Sequence, residues 1–146
     1  TPGMAWGARA INIVPVDPDA NLVNAMRAAS TGLSLGKVLI LFPEGERTID
    51  GTLKPFRKGA AILASHLDVP IVPVALDGFF PFWPRGRSFD WSRLRSWRRP
   101  RVTVVFGDPL QVARGAYGSG TEALQQAVAD LIGRTRDRTS DKGGRQ

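Results

Sequence analysis

The apolar residues of this chain fall into two kinds of block, continuous runs and helically spaced stripes, and the two kinds alternate. Ala10 to Val16, "AINIVPV", is rich in β-formers and reads as a strand. Asp17-Pro18 follows, an N-cap and a proline suited to the first helical position. Leu22, Ala25, Met26 and Ala29 then recur at helical spacing until "STGLSLG" ends the helix. "KVLILF", Lys37 to Phe42, is a continuous apolar run of strand length, which predicts a strand covered on both faces. Phe56, Ala60, Leu63 and Leu67 stripe a second helix stopped by Asp68 and Pro70, and "PIVPVAL" is the next buried strand. "RVTVVFG" alternates as a later strand, Ser119 and Glu122 have the spacing of a capping box, and Leu124, Val128, Leu131 and Ile132 give a last helix its apolar face. Strands and helices alternating in steps of this length predict an α/β fold with a largely parallel sheet and crossover helices.

Length and composition narrow this to one domain. At 146 residues, 42% of them hydrophobic, the chain has material for a single core. The domain is expected to run over 1–134, and "TRDRTSDKGGRQ" from Thr135 is too polar to pack and predicts a disordered tail. With no cysteine and one histidine, a disulfide framework and a Cys- or His-built metal centre are excluded, so no metal site is expected. The apolar runs fall far short of the roughly 20 residues needed to span a bilayer. The net charge of +7 is local: between Arg85 and Arg101 seven arginines face one acid, Asp90, and the other residues nearly balance.

Candidate chemistry gathers in "LFPEGERTIDGTLKPFRKG", Leu41 to Gly59. In open α/β sheets ligands bind at the carboxyl ends of strands, and Pro43 to Asp50 lies at such an end. Glu44 puts a carboxylate directly after the strand, Gly45 lets backbone approach a ligand, and Arg47 and Thr48 add a forked donor and a hydroxyl. Lys54, Arg57 and Lys58 arrive at the start of the next helix, where backbone donors also favour anions. This set suits a small phosphorylated polyol. The plainer reading is an i,i+3 surface ion pair of Glu44 with Arg47, beside the common turn dipeptide Asp50-Gly51.

"FPEGERTIDG", then "PFRKGAAILA", then "VPIVPVAL" occur in this order, and together they resemble the lysophospholipid and glycerol-phosphate acyltransferase family over roughly Ala10 to Pro109. The resemblance implies acyl transfer from an acyl thioester, coenzyme A or acyl-carrier protein, to the hydroxyl of a lysophospholipid such as 1-acylglycerol-3-phosphate. It implies no cofactor beyond that co-substrate, and a peripheral position on the cytoplasmic face of a membrane. By the same resemblance Glu44, Gly45, Arg47 and Thr48 are glycerol-phosphate-binding positions and Pro73 belongs to the strand bordering the acyl site, while Arg57 and Lys58 join the expected substrate-binding set from their place at the helix start.

Two departures qualify what this chain does. The family's catalytic H-x4-D is absent: the sole histidine is His66, and the position five residues on is Ile71. His66 reads as structural, and the chain as the C-terminal, N-terminally incomplete part of a longer acyltransferase, inactive alone; a degenerate homologue is the alternative. The second departure is Asp17-Pro18 where the family carries an arginine after a strand, with Arg27 a helix away, a variant that looks like acyltransferase domains fused to acyl-activating synthetases.

In the stretch from Asp77 to Pro100, Phe79, Phe80, Phe82 and Trp83 precede the arginine cluster, and Phe89, Trp91 and Trp97 interleave with it. Rings beside cationic heads suit anionic lipid at a membrane interface, so residues 79–101 are expected to dock on a membrane. A non-catalytic basic module binding lipid or single-stranded nucleic acid is the alternative; no RRM or KH signature accompanies the arginines, and no nucleic acid is expected. At least one of Phe79 and Phe80 is expected to point inward.

Overall fold

The computed structural model describes residues 22–95 and 101–143. The expected strand over Ala10–Val16, the Asp17-Pro18 cap and Trp97 lie outside the described residues. The chain divides into two compact units, Thr1–Leu41 and Phe42–Gln146, and each is taken by itself.

In the first unit α1 runs over Leu22–Ser34, where the apolar spacing predicts a helix. Near its end the Thr31 hydroxyl donates to the Arg27 carbonyl at 3.0 Å and the Ser34 hydroxyl to that of Thr31 at 2.9 Å. Gly36, at φ +71°, then reverses the chain, with Lys37 N–H closing on the Gly32 carbonyl at 3.0 Å. "STGLSLG" is thus the stop that its composition predicts. The run after it departs from expectation. Val38–Phe42 forms no strand among the described residues, and Val38 and Ile40 are 89% and 77% exposed. A strand needs a neighbour for its N–H and C=O groups, and none of the described residues pairs with this run.

The second unit is built around α2 (Gly59–Leu67), β1 (Val74–Asp77), α3 (Ser92–Arg95), β2 (Thr103–Phe106) and α4 (Tyr117–Gly143). α2 starts one turn later than the Phe56 stripe predicts, so its buried side is Ala61, Leu63, Ala64 and Ser65. It stops at Asp68, whose left-handed backbone (φ 53°) lets its N–H reach the Ala64 carbonyl. β1 and β2 pair antiparallel in the register Val74↔Phe106, Ala75↔Val105, Leu76↔Val104 and Asp77↔Thr103. Gly107 N–H to the Pro73 carbonyl at 2.9 Å and reciprocal bonds between Ile71 and Leu110 extend the ladder. The architecture is α/β, but the one described strand pairing is antiparallel, in place of the parallel neighbours that the sequence pattern predicts.

Alternation along the strands explains what is buried. Pro73 and Ala75 face α4, together with Leu124, Val128 and Leu131. Gly107 is a close approach here, since a Cβ on it would lie 3.1 Å from Leu131 Cδ1. The opposite side, with Val74, Leu76, Val104 and Phe106, is exposed, so "PIVPVAL" is covered on one side only. Gly78 is tighter still: at φ +81° a Cβ would sit 2.0 Å from the Arg101 carbonyl oxygen, which holds the end of β1 to the start of β2.

α4 begins at Tyr117, so Ser119 is inside the helix and its hydroxyl turns back to the Ala116 carbonyl; the capping box with Glu122 does not form. The helix also continues past Thr135, where the polar composition predicts a disordered tail. Thr135 is buried, with its hydroxyl on the Leu131 carbonyl at 2.7 Å, and Arg136 reaches Asp77 at the end of β1 at 3.3 Å. One anchored turn carries the amphipathic stripe into a segment that composition alone marks as solvent-facing.

Candidate functional site

The turn after Phe42 is shaped by its own polar residues. Gly45 N–H closes on the Phe42 carbonyl at 3.0 Å, and Gly45 takes φ +74°, a conformation that glycine adopts freely. Arg57 N–H donates to the Pro43 carbonyl at 2.8 Å, bringing the segment before α2 back across the turn. The Arg57 side chain then lies over the bare Gly45: a Cβ there would meet Arg57 Nε at 2.8 Å. Glu44, half-buried, accepts Lys54 N–H at 2.9 Å through Oε2, and no described residue donates to Oε1. Glu44 and Arg47 form no ion pair, which sets aside the plainer reading of the motif.

Arg47 is exposed and reaches the long segment after β1. Its guanidinium carbon lies 4.1 Å from the centre of the Trp83 ring, and its Nη1 points at the carbonyls of Trp83 and Pro84, each at 3.4 Å. Thr48 serves the turn itself: its hydroxyl donates to Asp50 Oδ1 at 2.9 Å and accepts Gly51 N–H at 3.0 Å. The Thr52 hydroxyl and N–H converge on the same Asp50 oxygen. These donors, the Thr52 hydroxyl first, push the Asp50 carboxyl down to about 2.

Glu46, absent from the sequence-predicted set, is the hub of the ion pairs. One carboxylate oxygen meets Lys54 Nζ and the other Arg85 Nη1. The Lys54 hydrogen bond, helped by the charges of Arg85 and Arg57, holds its carboxyl below the ordinary range. Arg85 N–H also donates to the Thr48 carbonyl at 3.1 Å, and Phe80 lies against Gly51. The turn and the aromatic segment are therefore laced together on both sides of Arg47. Sequence spacing gives no signal for a partner so far along the chain; the only available hint is charge, an acid between Gly45 and Arg47 opposite a local excess of arginine.

The remaining predicted positions separate. Lys58 is exposed at the N-cap of α2, where its side chain caps nothing. Pro73 is fully buried, so any influence it has on a site passes through the position of the strand. His66 is exposed, its Nδ1 bonded to the Ile62 carbonyl at 2.9 Å and its ring stacked on Tyr117, in a shallow pocket shared with Ser65 and Arg114. Among the described residues no group of three potential ligands could hold a metal ion, and no helix is long and apolar enough to cross a membrane.

In the aromatic segment the inward ring is Phe82, which is buried, whereas Phe79 and Phe80 are half-buried. Phe79, Phe82, Trp83, Phe89 and Trp91 form one connected cluster, with Phe89 and Trp91 centroids 4.6 Å apart and Trp83 edge-on to Phe89. Trp91 is 72% exposed at its outer end. Asp90 starts α3, accepting Ser92 N–H at 3.1 Å and Arg93 Nε at 3.0 Å.

The family model described as Acyltransferase matches residues 1–77. The chain is 34% identical over 88 residues to the chloroplastic 1-acyl-sn-glycerol-3-phosphate acyltransferase BAT2 of Brassica napus, covering 58% of this chain and 25% of that protein. It is 38% identical over 79 residues to 1-acyl-sn-glycerol-3-phosphate acyltransferase of Limnanthes douglasii, covering 54% and 28%. Over 49 residues it is 45% identical to the human beta form, covering 34% and 18%. The chain thus spans about a quarter of the length of the first two of these relatives. No solved structure matches it.

Proposed function

Since this chain belongs to the acyltransferase family, we propose that its "FPEGERT" turn binds the phosphorylated glycerol of a lysophospholipid acceptor, for acyl transfer from an acyl-CoA or acyl-carrier-protein thioester. The observation that carries this reading is Arg47, exposed and braced on Trp83, in a turn where Gly45 bears no side chain and Arg57 lies across it. The guanidinium of Arg57 over a bare glycine and the exposed guanidinium of Arg47 two residues on suit a phosphomonoester, which carries up to two negative charges and accepts paired N–H donors. Glu44 Oε1 is then the acceptor for a glycerol hydroxyl, while Oε2 stays on Lys54 N–H. Lys58 adds positive charge at the N-terminus of α2. Thr48 shapes the turn through Asp50. The names of the relatives, 1-acyl-sn-glycerol-3-phosphate acyltransferases, support this acceptor class.

In the reaction the acceptor hydroxyl attacks the thioester carbonyl, its proton passes to a base and the thiol leaves. No H-x4-D motif is present in the sequence to supply that base. The role proposed for these residues is accordingly acceptor binding. The outer end of the aromatic cluster, Trp91 with Arg87 and Arg93, is proposed to rest on anionic lipid, the tryptophan at headgroup depth.

An NMR titration with sn-glycerol 3-phosphate tests the binding role. The expected result is that amide shifts concentrate at Glu44–Thr48 and Arg57–Lys58 and that glycerol alone produces none. Shifts confined to the His66 and Arg114 pocket would refute it.

A further inference from the structure

We infer that Trp83 is a positioning residue of the proposed phosphate site, holding the guanidinium of Arg47 so that its Nε–Nη2 edge faces outward as a preformed fork for a phosphomonoester. This rests on the acceptor-binding reading above and adds to it a residue from a different segment.

Arginine has two edges that can grip a phosphate, and here one donor is already directed elsewhere. Nη1 points at the Trp83 and Pro84 carbonyls at 3.4 Å, and the guanidinium carbon lies over the Trp83 ring, 4.1 Å from its centre. No described residue accepts from Nε or Nη2, the two donors that lie side by side on the remaining edge. An exposed arginine without such a seat samples many rotamers, and fixing it on a ligand would weaken binding. The ring removes that freedom beforehand. The 3.4 Å contacts are long for hydrogen bonds, so the ring is the main restraint and the carbonyls set its orientation.

The seat is itself held. Trp83 packs edge-on against Phe89, which lies on the buried Phe82 and on Trp91. On the side of the turn, the Arg85–Glu46 ion pair and the Arg85 N–H bond to the Thr48 carbonyl flank Arg47 in sequence and fix the distance between the two segments. A ring anchored on the aromatic core thus faces a side chain anchored on the turn, 36 residues away along the chain.

Calorimetric titration of sn-glycerol 3-phosphate into the 146-residue chain, without lipid, tests this. Trp83→Ala is expected to weaken binding about three- to tenfold, the scale of one lost cation–π seat. Trp83→Phe is expected to recover most of that loss, because a ring remains. The readout that separates positioning from general support is a cycle with Arg47→Lys, whose ammonium has neither the planar face nor the fork. If Trp83 acts through Arg47, Trp83→Ala adds no further loss on the Arg47→Lys background. In chain labelled with 5-fluorotryptophan, the fluorine resonance of Trp83 is expected to shift on titration and to shift less in Arg47→Lys. Full additivity of the two losses, or unchanged affinity in Trp83→Ala, would overturn the inference while leaving the acceptor site standing. No binding by the unsubstituted chain would overturn both.

Discussion

Gly45 and Asp50 show how far single residues determine the turn. Gly45→Ala puts a side chain in left-handed backbone and against Arg57 Nε, and is expected to destabilise the chain by ~1–2 kcal/mol in urea unfolding, with Arg57 displaced. Asp50 supplies a pH dependence whose sign follows from its donors. Its carboxyl titrates at about 2 in the folded chain, below the value of an unfolded aspartate, so it favours the turn above the unfolded value and ceases to as pH falls through the folded one. The Thr52 amide, which donates to that carboxylate at 2.9 Å, is expected to lose protection from exchange between about pH 4 and pH 2. Unchanged Thr52 protection at pH 2 would contradict this. At this scale the sequence marks Glu44, Gly45, Arg47 and Thr48 as candidates, through residue types and order alone. It does not mark Trp83 or Glu46, whose partners lie across a fold-dependent gap, nor the hydrogen bond by which the Thr48 hydroxyl engages Asp50.

At the scale of elements, apolar spacing is reliable where one neighbour is enough. The Leu124, Val128 and Leu131 stripe needs only β1, β2 and α2 to bury it, and it is buried as its period predicts. Leu131→Ala is expected to cost ~2–5 kcal/mol, since Leu131 is 7% exposed and closes over Gly107. Elements that need several neighbours are less legible. The Val38–Phe42 run has strand composition and no partner among the described residues, whereas Ala75 and Val105 pair across β1 and β2 and their amides are expected to be protected from exchange. Free exchange at Ala75 and Val105 would contradict that pairing. The Ser119–Glu122 pattern misleads for a local reason: the helix starts at Tyr117, so residues with cap spacing fall inside it. The end of α4 misleads in the opposite direction, because Thr135 and Arg136 have partners on Leu131 and Asp77 that composition cannot show.

For the whole molecule, the turn proposed to bind the acceptor and the basic, aromatic segment are tied together through Arg47–Trp83 and Glu46–Arg85. Sedimentation with anionic vesicles is expected to carry the chain down at low salt and less at high salt, with Trp91→Ala weakening the association. Salt-resistant binding to single-stranded DNA with no vesicle binding would replace lipid as the partner. Assayed alone, the chain is expected to transfer no acyl group from acyl-CoA to lysophosphatidate, because general-base catalysis contributes about 10²- to 10⁴-fold and its motif is absent. Calorimetric titration of sn-glycerol 3-phosphate into unsubstituted and Arg47→Ala chains decides whether the turn from Glu44 to Thr48 holds a phosphorylated glycerol. Saturable binding that weakens by about tenfold or more in Arg47→Ala is expected, with glycerol not binding at all. Equal affinity in the two chains would contradict it.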